Sequence, residues 1–337
     1  MESDFISCDW GTTSFRLRWV SGVDLRVIRE VRENAGVKWM HAEAGAGPGR
    51  ANRFGQFVGQ MLEKLLAGEA RPKRLIPLVI SGMASSSIGW REVPYAKTPF
   101  QLGGRGLRFE MLEWSKPDGV GPTYLISGIA TEHDMMRGEE TEIVGLMSDP
   151  GLAAFGRRSL LILPGTHSKH VWIENHAVID FRTFMTGELF DVLGRHSLLR
   201  ASVDLEGQAG CGTAVLSDAD RDAFCEGVRW VSEQGLPAGL FRVRTRSVLS
   251  QRPLANNTWF LSGLLIGAEV GSMGGESGDR PVILAAAGGM AELYSLALEV
   301  TAGPAFAWIR LPSDKVENAV VAGHAMFLRG RRIGSKA

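Results

Sequence analysis

Along the chain, short apolar runs alternate with polar turns, and the apolar spacing switches between the period of a strand and that of a helix. Phe5 to Asp9 reads as a short buried strand, and Phe15 to Val20 as its hairpin partner across the turn Trp10-Gly11-Thr12-Thr13-Ser14. Leu25 to Val31 follows as a third strand, with Arg26 and Arg29 interleaved. Phe54, Phe57, Val58, Met61, Leu62, Leu65 and Leu66 fall on one helical face, which predicts a helix over Phe54 to Leu66. Leu75 to Ile80 and Thr123 to Ile126 are compact apolar runs, each ending in Ser-Gly, as buried strands do. Glu139 to Met147 returns to the helical period, with Ile143, Val144, Leu146 and Met147 expected inward.

The second half opens in the same way. A strand over Ser159 to Leu163 runs into Pro164-Gly165-Thr166-His167-Ser168, followed by strands over His170 to Ile173 and Val178 to Met185, then a helix over Glu188 to Leu199. Strand, Gly-Thr turn, strand, strand and helix thus occur twice, a repeat of topology and not of sequence. The stretch Asp204 to Cys211 is polar and glycine-rich. Further helices are expected over Ala219 to Gln234 and Phe260 to Met273. In the latter, Gly263, Gly267 and Gly271 sit at every fourth position and would allow another backbone to come close. A last buried strand, Pro281 to Ala287, ends in Gly288-Gly289 before a helix from Ala291. The expectation is an α/β chain of two domains, 1–148 and 149–337, with a frayed basic tail from Arg329.

Composition narrows the function classes. In 337 residues, Lys plus Arg and Asp plus Glu number 37 each, and this balance argues against nucleic-acid or anionic-membrane partners. One of the longest uncharged stretches, Pro253 to Ala268, contains Asn256, Asn257, Thr258 and Ser262 and is too short and polar to span a bilayer. The cysteines are Cys8, Cys211 and Cys225, odd in number and without CxxC spacing. A disulfide framework or zinc site is not expected, and a reducing cytoplasm fits best.

The candidate chemistry lies in the Gly-Thr turns. A polyphosphate needs converging backbone N–H groups and side chains small enough to let them converge. Gly11, Thr12 and Thr13 offer this at a strand end. Asp9 is placed to hold Mg²⁺, directly or through water. Arg16 could neutralise charge on the transferred group, or simply point along its strand. Taken alone, this turn is equally readable as an ordinary hairpin with a solvated Asp. Gly165, Thr166 and His167 occupy the corresponding turn of the second half, and two such turns could clamp one triphosphate between two domains. His167 is otherwise a turn histidine bonded to backbone, and Lys169 could reach a phosphate but more commonly would be a solvated lysine. Gly288 and Gly289, after a buried strand and before a helix, would let a nucleotide base and ribose lie over bare backbone.

Together these motifs resemble the actin, hexokinase and Hsp70 superfamily, and more narrowly the 2-dehydro-3-deoxygalactonokinase family. The stretches that carry the narrower resemblance are Asp9-Trp10-Gly11-Thr12-Thr13, Ser81-Gly82-Met83 with Gly89-Trp90 and Pro94-Tyr95, and Met136-Arg137-Gly138-Glu139-Glu140-Thr141. They continue with Pro164-Gly165-Thr166-His167-Ser168-Lys169, Asp180-Phe181-Arg182-Thr183-Phe184-Met185-Thr186-Gly187-Glu188 and Leu261 to Val270. The resemblance implies an actin-like, ribonuclease H-like two-domain fold with the active site in the interdomain cleft. It also implies ATP-dependent phosphorylation of 2-dehydro-3-deoxy-D-galactonate at its 6-hydroxyl. By the same comparison the general base falls on Glu139, with Glu140 and Asp134 as rivals. Arg137 and Arg182 are candidates for the substrate carboxylate, with Trp90 and Tyr95 as pocket walls. Trp90 could instead be core, and Arg182 could pair with Asp180. Two stretches depart from the pattern: Ala84-Ser85-Ser86-Ser87 is unusually rich in serine, and Gly288-Gly289-Met290 is the loosest match. Open alternatives are another sugar acid or an anhydro-sugar as substrate, or a nucleotide-dependent sensor without transfer. The sequence does not decide the oligomeric state, a homodimer being one option.

Overall fold

A computed structural model describes residues 3–45, 47, 49–68, 74–205, 216–273, 280–302 and 307–334. Cys211, most of the glycine-rich stretch before it and the last residues of the tail lie outside them. The chain divides into two compact units. The first takes the chain up to Gly156, the segment Asn175–Asp180 and the C-terminal stretch from Asn318; the second takes Arg157–Glu174 and Phe181–Glu317. The expected split at residue 149 differs in three respects. The crossing comes a few residues later, Asn175–Asp180 belongs to the first unit, and the C-terminal helix returns to it. That return is set by contacts between residues far apart in sequence, which periodicity does not report.

The first unit is built from β1 (Phe5–Trp10), β2 (Phe15–Val20), β3 (Val27–Glu33), α1 (Val37–Ala44), α2 (Arg50–Leu66), β4 (Ile76–Gly82), β5 (Ala96–Lys97), β6 (Phe100–Gln101), β7 (Phe109–Leu112), β8 (Val120–Ile126), β9 (Ile129–Ala130), β10 (Met135–Met136) and α3 (Glu139–Met147). Its large sheet has the order β3-β2-β1-β4-β8-β7. The β1–β2–β3 meander is antiparallel, and β4 and β8 join it in parallel. Strand alternation explains which face is which. Ile6, Cys8 and Trp10 enter a core shared with Phe54, Val58, Leu62 and Leu65 of α2. Ser7 and Asp9 therefore face the opposite side. Of the helix α3 residues expected inward, Ile143, Val144 and Leu146 are buried and Met147 is half-buried.

The second unit contains β11 (Arg158–Leu163), β12 (Ser168–Glu174), the second half of β13 (Ala177–Phe184), α4 (Thr186–His196), α5 (Asp218–Gln234), α6 (Leu236–Val248), α7 (Leu254–Gly271), β14 (Val282–Leu284), α8 (Gly288–Ala302), β15 (Trp308–Arg310) and α9 (Ser313–Glu317). Its strands run β13-β12-β11-β14-β15. Here β11 is antiparallel to β12 and parallel to β14, and β14 is parallel to β15. This repeats the order of the first sheet, three consecutive strands and then two added in parallel beside the first. It is the actin-like arrangement that the resemblance implies. The glycine face of α7 is used in part. A Cβ at Gly263 would lie 2.1 Å from the Phe224 carbonyl oxygen of α5, and one at Gly267 2.9 Å from the Val228 Cα, whereas Gly271 faces open space.

The final helix, α10 (Ala319–Gly334), belongs to the first unit. It packs backbone to backbone on α3: a Cβ at Gly145 would meet the Ala319 carbonyl oxygen at 1.8 Å, and one at Gly323 the Thr141 oxygen at 2.0 Å. Its His324 is fully buried and shares a 2.8 Å hydrogen bond with the Ser7 hydroxyl of β1. Among the described residues no helix is long and apolar enough to cross a membrane.

Candidate active site

The turn after β1 is held from behind by the start of α1. The amides of Gly36, Val37 and Lys38 donate to the carbonyls of Thr13, Gly11 and Thr12 at 3.1, 3.0 and 3.1 Å. All three carbonyls are thereby tied inward. The amides of Thr12 and Thr13 have no protein acceptor among the described residues, and both residues are exposed. This disposition, carbonyls anchored and amides outward, suits a phosphate oxygen.

Asp9 and Arg16 are cross-strand partners in the β1–β2 register, and Asp9 lies beside Ser81 of β4. Two glycines bring the start of α3 to the same strand ends. Gly82 has φ +92°, and a Cβ there would lie 2.6 Å from the Trp10 carbonyl oxygen. Gly138 has φ +114°, and its Cβ would lie 3.3 Å from the Gly82 Cα. A side chain at either position would push α3 away from β1. The close approach is visible in the electrostatics. Burial lifts the Asp9 carboxyl above its ordinary value; Arg16 and Arg18 oppose this, and the Glu139 charge adds to it. Burial and then Glu139 push Glu140 up to about 7. Glu142 rises to about 8 through burial, Glu139 and then Asp9.

Glu139 is the half-buried first residue of α3, and its Oε2 accepts from the Arg137 amide at 3.0 Å. Glu140 is fully buried and turned back on its own backbone, accepting from the Gly138 amide at 2.6 Å and the Thr141 hydroxyl at 2.9 Å. Of the two rivals, Glu140 is thus engaged inside the protein. Asp134 is occupied in a local turn, where its Oδ1 accepts from the Met135 amide at 2.7 Å.

Arg137 is buried, with Nη1 donating to the Ser85 carbonyl at 2.5 Å, the Ser85 hydroxyl at 2.7 Å and the Val93 carbonyl at 3.3 Å. Its Nε donates to the Tyr95 hydroxyl at 3.3 Å, and the guanidinium carbon lies 4.0 Å from the centre of the Tyr95 ring. The structure therefore brings Arg137 and Tyr95 together, and the serine-rich departure supplies a partner for the arginine. Trp90 belongs to the α2-side core, 5.3 Å edge-to-face from Trp114, on the sheet face opposite Asp9. Arg182 stands exposed in the second unit with its guanidinium over Trp172 at 5.3 Å.

The second turn uses the same device as the first. The Glu188 amide at the start of α4 donates to the Thr166 carbonyl at 3.1 Å, and a Cβ at Gly187 would lie 2.8 Å from both the Gly165 carbonyl oxygen and the Thr166 Cα. Gly165, Thr166 and His167 are exposed, and His167 Nε2 pairs with Glu188 Oε2 at 2.5 Å. Lys169, expected in solvent, is buried and donates to the His167 carbonyl at 2.8 Å. Beneath the turn lies a buried polar cluster of Ser168, His170, Thr186, Glu269 and Tyr294. The spacing along the sequence carries no sign of it, because Ser168 and Tyr294 are 126 residues apart. Gly288 and Gly289 form the first turn of α8 instead of a turn before it, with Gly288 exposed at φ +57°. Their amides therefore start a helix, where the dipole favours anions.

A family model for 2-keto-3-deoxy-galactonokinase matches residues 9–323. A protein of Rhizobium meliloti (strain 1021) assigned as 2-dehydro-3-deoxygalactonokinase is 34% identical over 301 residues, covering 88% of this chain and 89% of its own. The 2-dehydro-3-deoxygalactonokinase of Escherichia coli (strain K12) is 32% identical over 278 residues, covering 81% of each chain. A crystal structure assigned as a 2-dehydro-3-deoxygalactonokinase protein from Sinorhizobium meliloti superposes with a TM-score of 0.71 at 30% identity over 95% of both chains. With the match running from the strand of Asp9 to the helix of His324, the chain belongs to the 2-keto-3-deoxy-galactonokinase family.

Proposed function

We propose that the protein transfers the γ-phosphoryl group of ATP to the 6-hydroxyl of 2-dehydro-3-deoxy-D-galactonate, giving the 6-phosphate and ADP in galactonate catabolism. The observation that carries this reading is a Gly-Thr turn whose carbonyls are all tied inward, at the end of the strand that bears Asp9, with the Gly138–Glu139 helix start packed against the neighbouring strand end at Gly82. Glu139 is the base. As the hydroxyl oxygen attacks phosphorus, its proton passes to the Glu139 carboxylate. The bond from phosphorus to the bridging oxygen breaks, and ADP leaves with that electron pair. The Arg137 amide fixes the carboxylate. Gly11, Thr12, Thr13 and Arg16 in the first unit, and Gly165, Thr166 and His167 in the second, hold phosphate oxygens. Gly288 and Gly289 lie along the nucleotide.

Asp9 fits Mg²⁺ of the kind that keeps most of its waters. Among the described residues no group of three or more His, Cys, Asp or Glu side chains could cage a metal ion, and burial lifts the Asp9 carboxyl although Arg16 and Arg18 oppose that lift. When bound there, the ion neutralises phosphate charge. Tyr95 lines the sugar-acid side, with Arg137 holding it, while Arg182 offers an exposed guanidinium to a carboxylate. Trp90 supports the fold of that region from the core. The buried thiols Cys8 and Cys225 suit a reducing cytoplasm.

The test is ADP release across a panel of sugar acids, anhydro-sugars and neutral hexoses. The keto-deoxy acid should be preferred, and equal turnover of neutral hexoses would sink the reading. Glu139→Gln should lower kcat by about 10²- to 10⁴-fold with ATP affinity retained.

A further inference from the structure

Glu269 sits in α7, fully enclosed, and nothing in the reaction above uses it. Its carboxylate is nonetheless the meeting point of four elements. Oε1 pairs with His170 Nε2 of β12 at 3.1 Å. Oε2 accepts from the Tyr294 hydroxyl of α8 at 2.7 Å and from the Thr186 hydroxyl at the start of α4. Tyr294 in turn lies 2.9 Å from the Ser168 hydroxyl, and Ser168 Oγ accepts from the Gly165 amide at 3.3 Å.

Proton bookkeeping gives this chain a direction. Tyrosine has one hydroxyl proton, and the carboxylate can only accept it. The proton in the 2.9 Å contact between Ser168 and Tyr294 then comes from serine, whose hydroxyl has the Gly165 carbonyl as a second, longer acceptor at 3.4 Å. The Gly165 amide donates to Ser168, Ser168 to Tyr294, and Tyr294 to Glu269. Burial of Tyr294, next to the Glu269 charge, pushes its phenol well above the ordinary value and keeps it a donor. The second arm runs through Thr186, the residue before Gly187 and Glu188, whose backbone grips Gly165 and Thr166. One carboxylate thus anchors both sides of the Gly165–Thr166 turn.

We propose that Glu269 is a positioning residue for nucleotide phosphate, acting through Tyr294 and Ser168 on one side and Thr186 on the other. This rests on the reading that the Gly165–Thr166 turn holds phosphate oxygens. Tyr294→Phe removes one hydroxyl and keeps the ring. Glu269→Gln keeps the shape but replaces one acceptor by a donor. Both are assayed in the full-length protein by calorimetric titration with a non-hydrolysable ATP analogue and by steady-state kinetics. KM for ATP and the analogue Kd should rise about tenfold or more in Tyr294→Phe, with KM for the sugar acid within about twofold of wild type, and the double variant should be no worse than Glu269→Gln alone. Thr166→Val is the control for the underlying reading. If it leaves analogue affinity unchanged, the turn does not hold phosphate. If it weakens binding while Tyr294→Phe lowers only the melting temperature, the turn reading stands and the positioning role of Glu269 is overturned. Should Glu269→Gln fail to fold, Tyr294→Phe decides alone.

Discussion

Gly36→Ala is a sharp probe of the first turn, because the structure sets both the clash and its consequence. A Cβ at residue 36 would lie 2.2 Å from the Thr12 carbonyl oxygen, 2.3 Å from the Thr13 nitrogen and 2.4 Å from the Thr12 carbonyl carbon. All three are backbone atoms, so no side chain can swing aside. Restoring ordinary contact requires α1 and the turn to separate by roughly 1 Å. The three hydrogen bonds from Gly36, Val37 and Lys38 are 3.0–3.1 Å long and would not survive that shift. At about 0.5–1.5 kcal/mol each, their loss amounts to roughly 2–4 kcal/mol of local stability. A phosphate grip displaced by about 1 Å should also lose on the order of 10²-fold in kcat/KM for ATP. The assay is coupled ADP release at varied ATP, beside a thermal melt. Gly271→Ala, which faces open space, serves as the matched control and should leave both unchanged within error. If Gly36→Ala matches wild type in melting temperature and in kcat/KM for ATP, the anchoring argument is refuted.

Three further expectations concern the same unit. Burial, with a smaller push from Arg18, lowers His324 to about 3, so the folded state holds it neutral while the unfolded chain takes up a proton below about 6.5. Stability from this group is full above pH ~6.5 and is lost as the pH falls; at pH 5 the loss is about 2 kcal/mol, and His324→Asn should flatten that acid limb in urea titrations. Glu142, raised to about 8, behaves oppositely: the fold prefers it protonated, so stability falls as pH rises from about 4.5 to 8, and Glu142→Gln should gain on wild type across that range in thermal melts. Arg137→Lys replaces a fork that reaches Ser85, Val93 and Tyr95 by a point charge, and should cost about 1–3 kcal/mol in denaturant unfolding while raising KM for the sugar acid more than KM for ATP.

The local pattern of strands, helices and turns was legible in the sequence. The first two strands and β11 announce themselves as compact apolar runs because both of their faces are buried, and α2 by its period because it buries one face. The two Gly-Thr turns and the Gly-Glu start of α3 were legible for a similar reason, since a tight turn at a strand end demands small residues wherever it occurs. The short helix α1 was not. It has eight residues and few apolar anchors, and its importance lies in three amides that hold a turn more than twenty residues earlier. Nor could spacing show that Arg137 is occupied by Ser85 and Val93, that Trp90 is core, or that Glu269 reaches Ser168 through Tyr294. What the sequence determined by itself was the doubled strand-and-turn plan and the small residue types at each turn. What only the tertiary structure decided was which polar groups are already satisfied inside the protein, and that α10 rejoins the first unit to bury His324 against Ser7. Periodicity records burial along one element, whereas hydrogen-bond partnership joins elements a hundred or more residues apart and leaves no period behind.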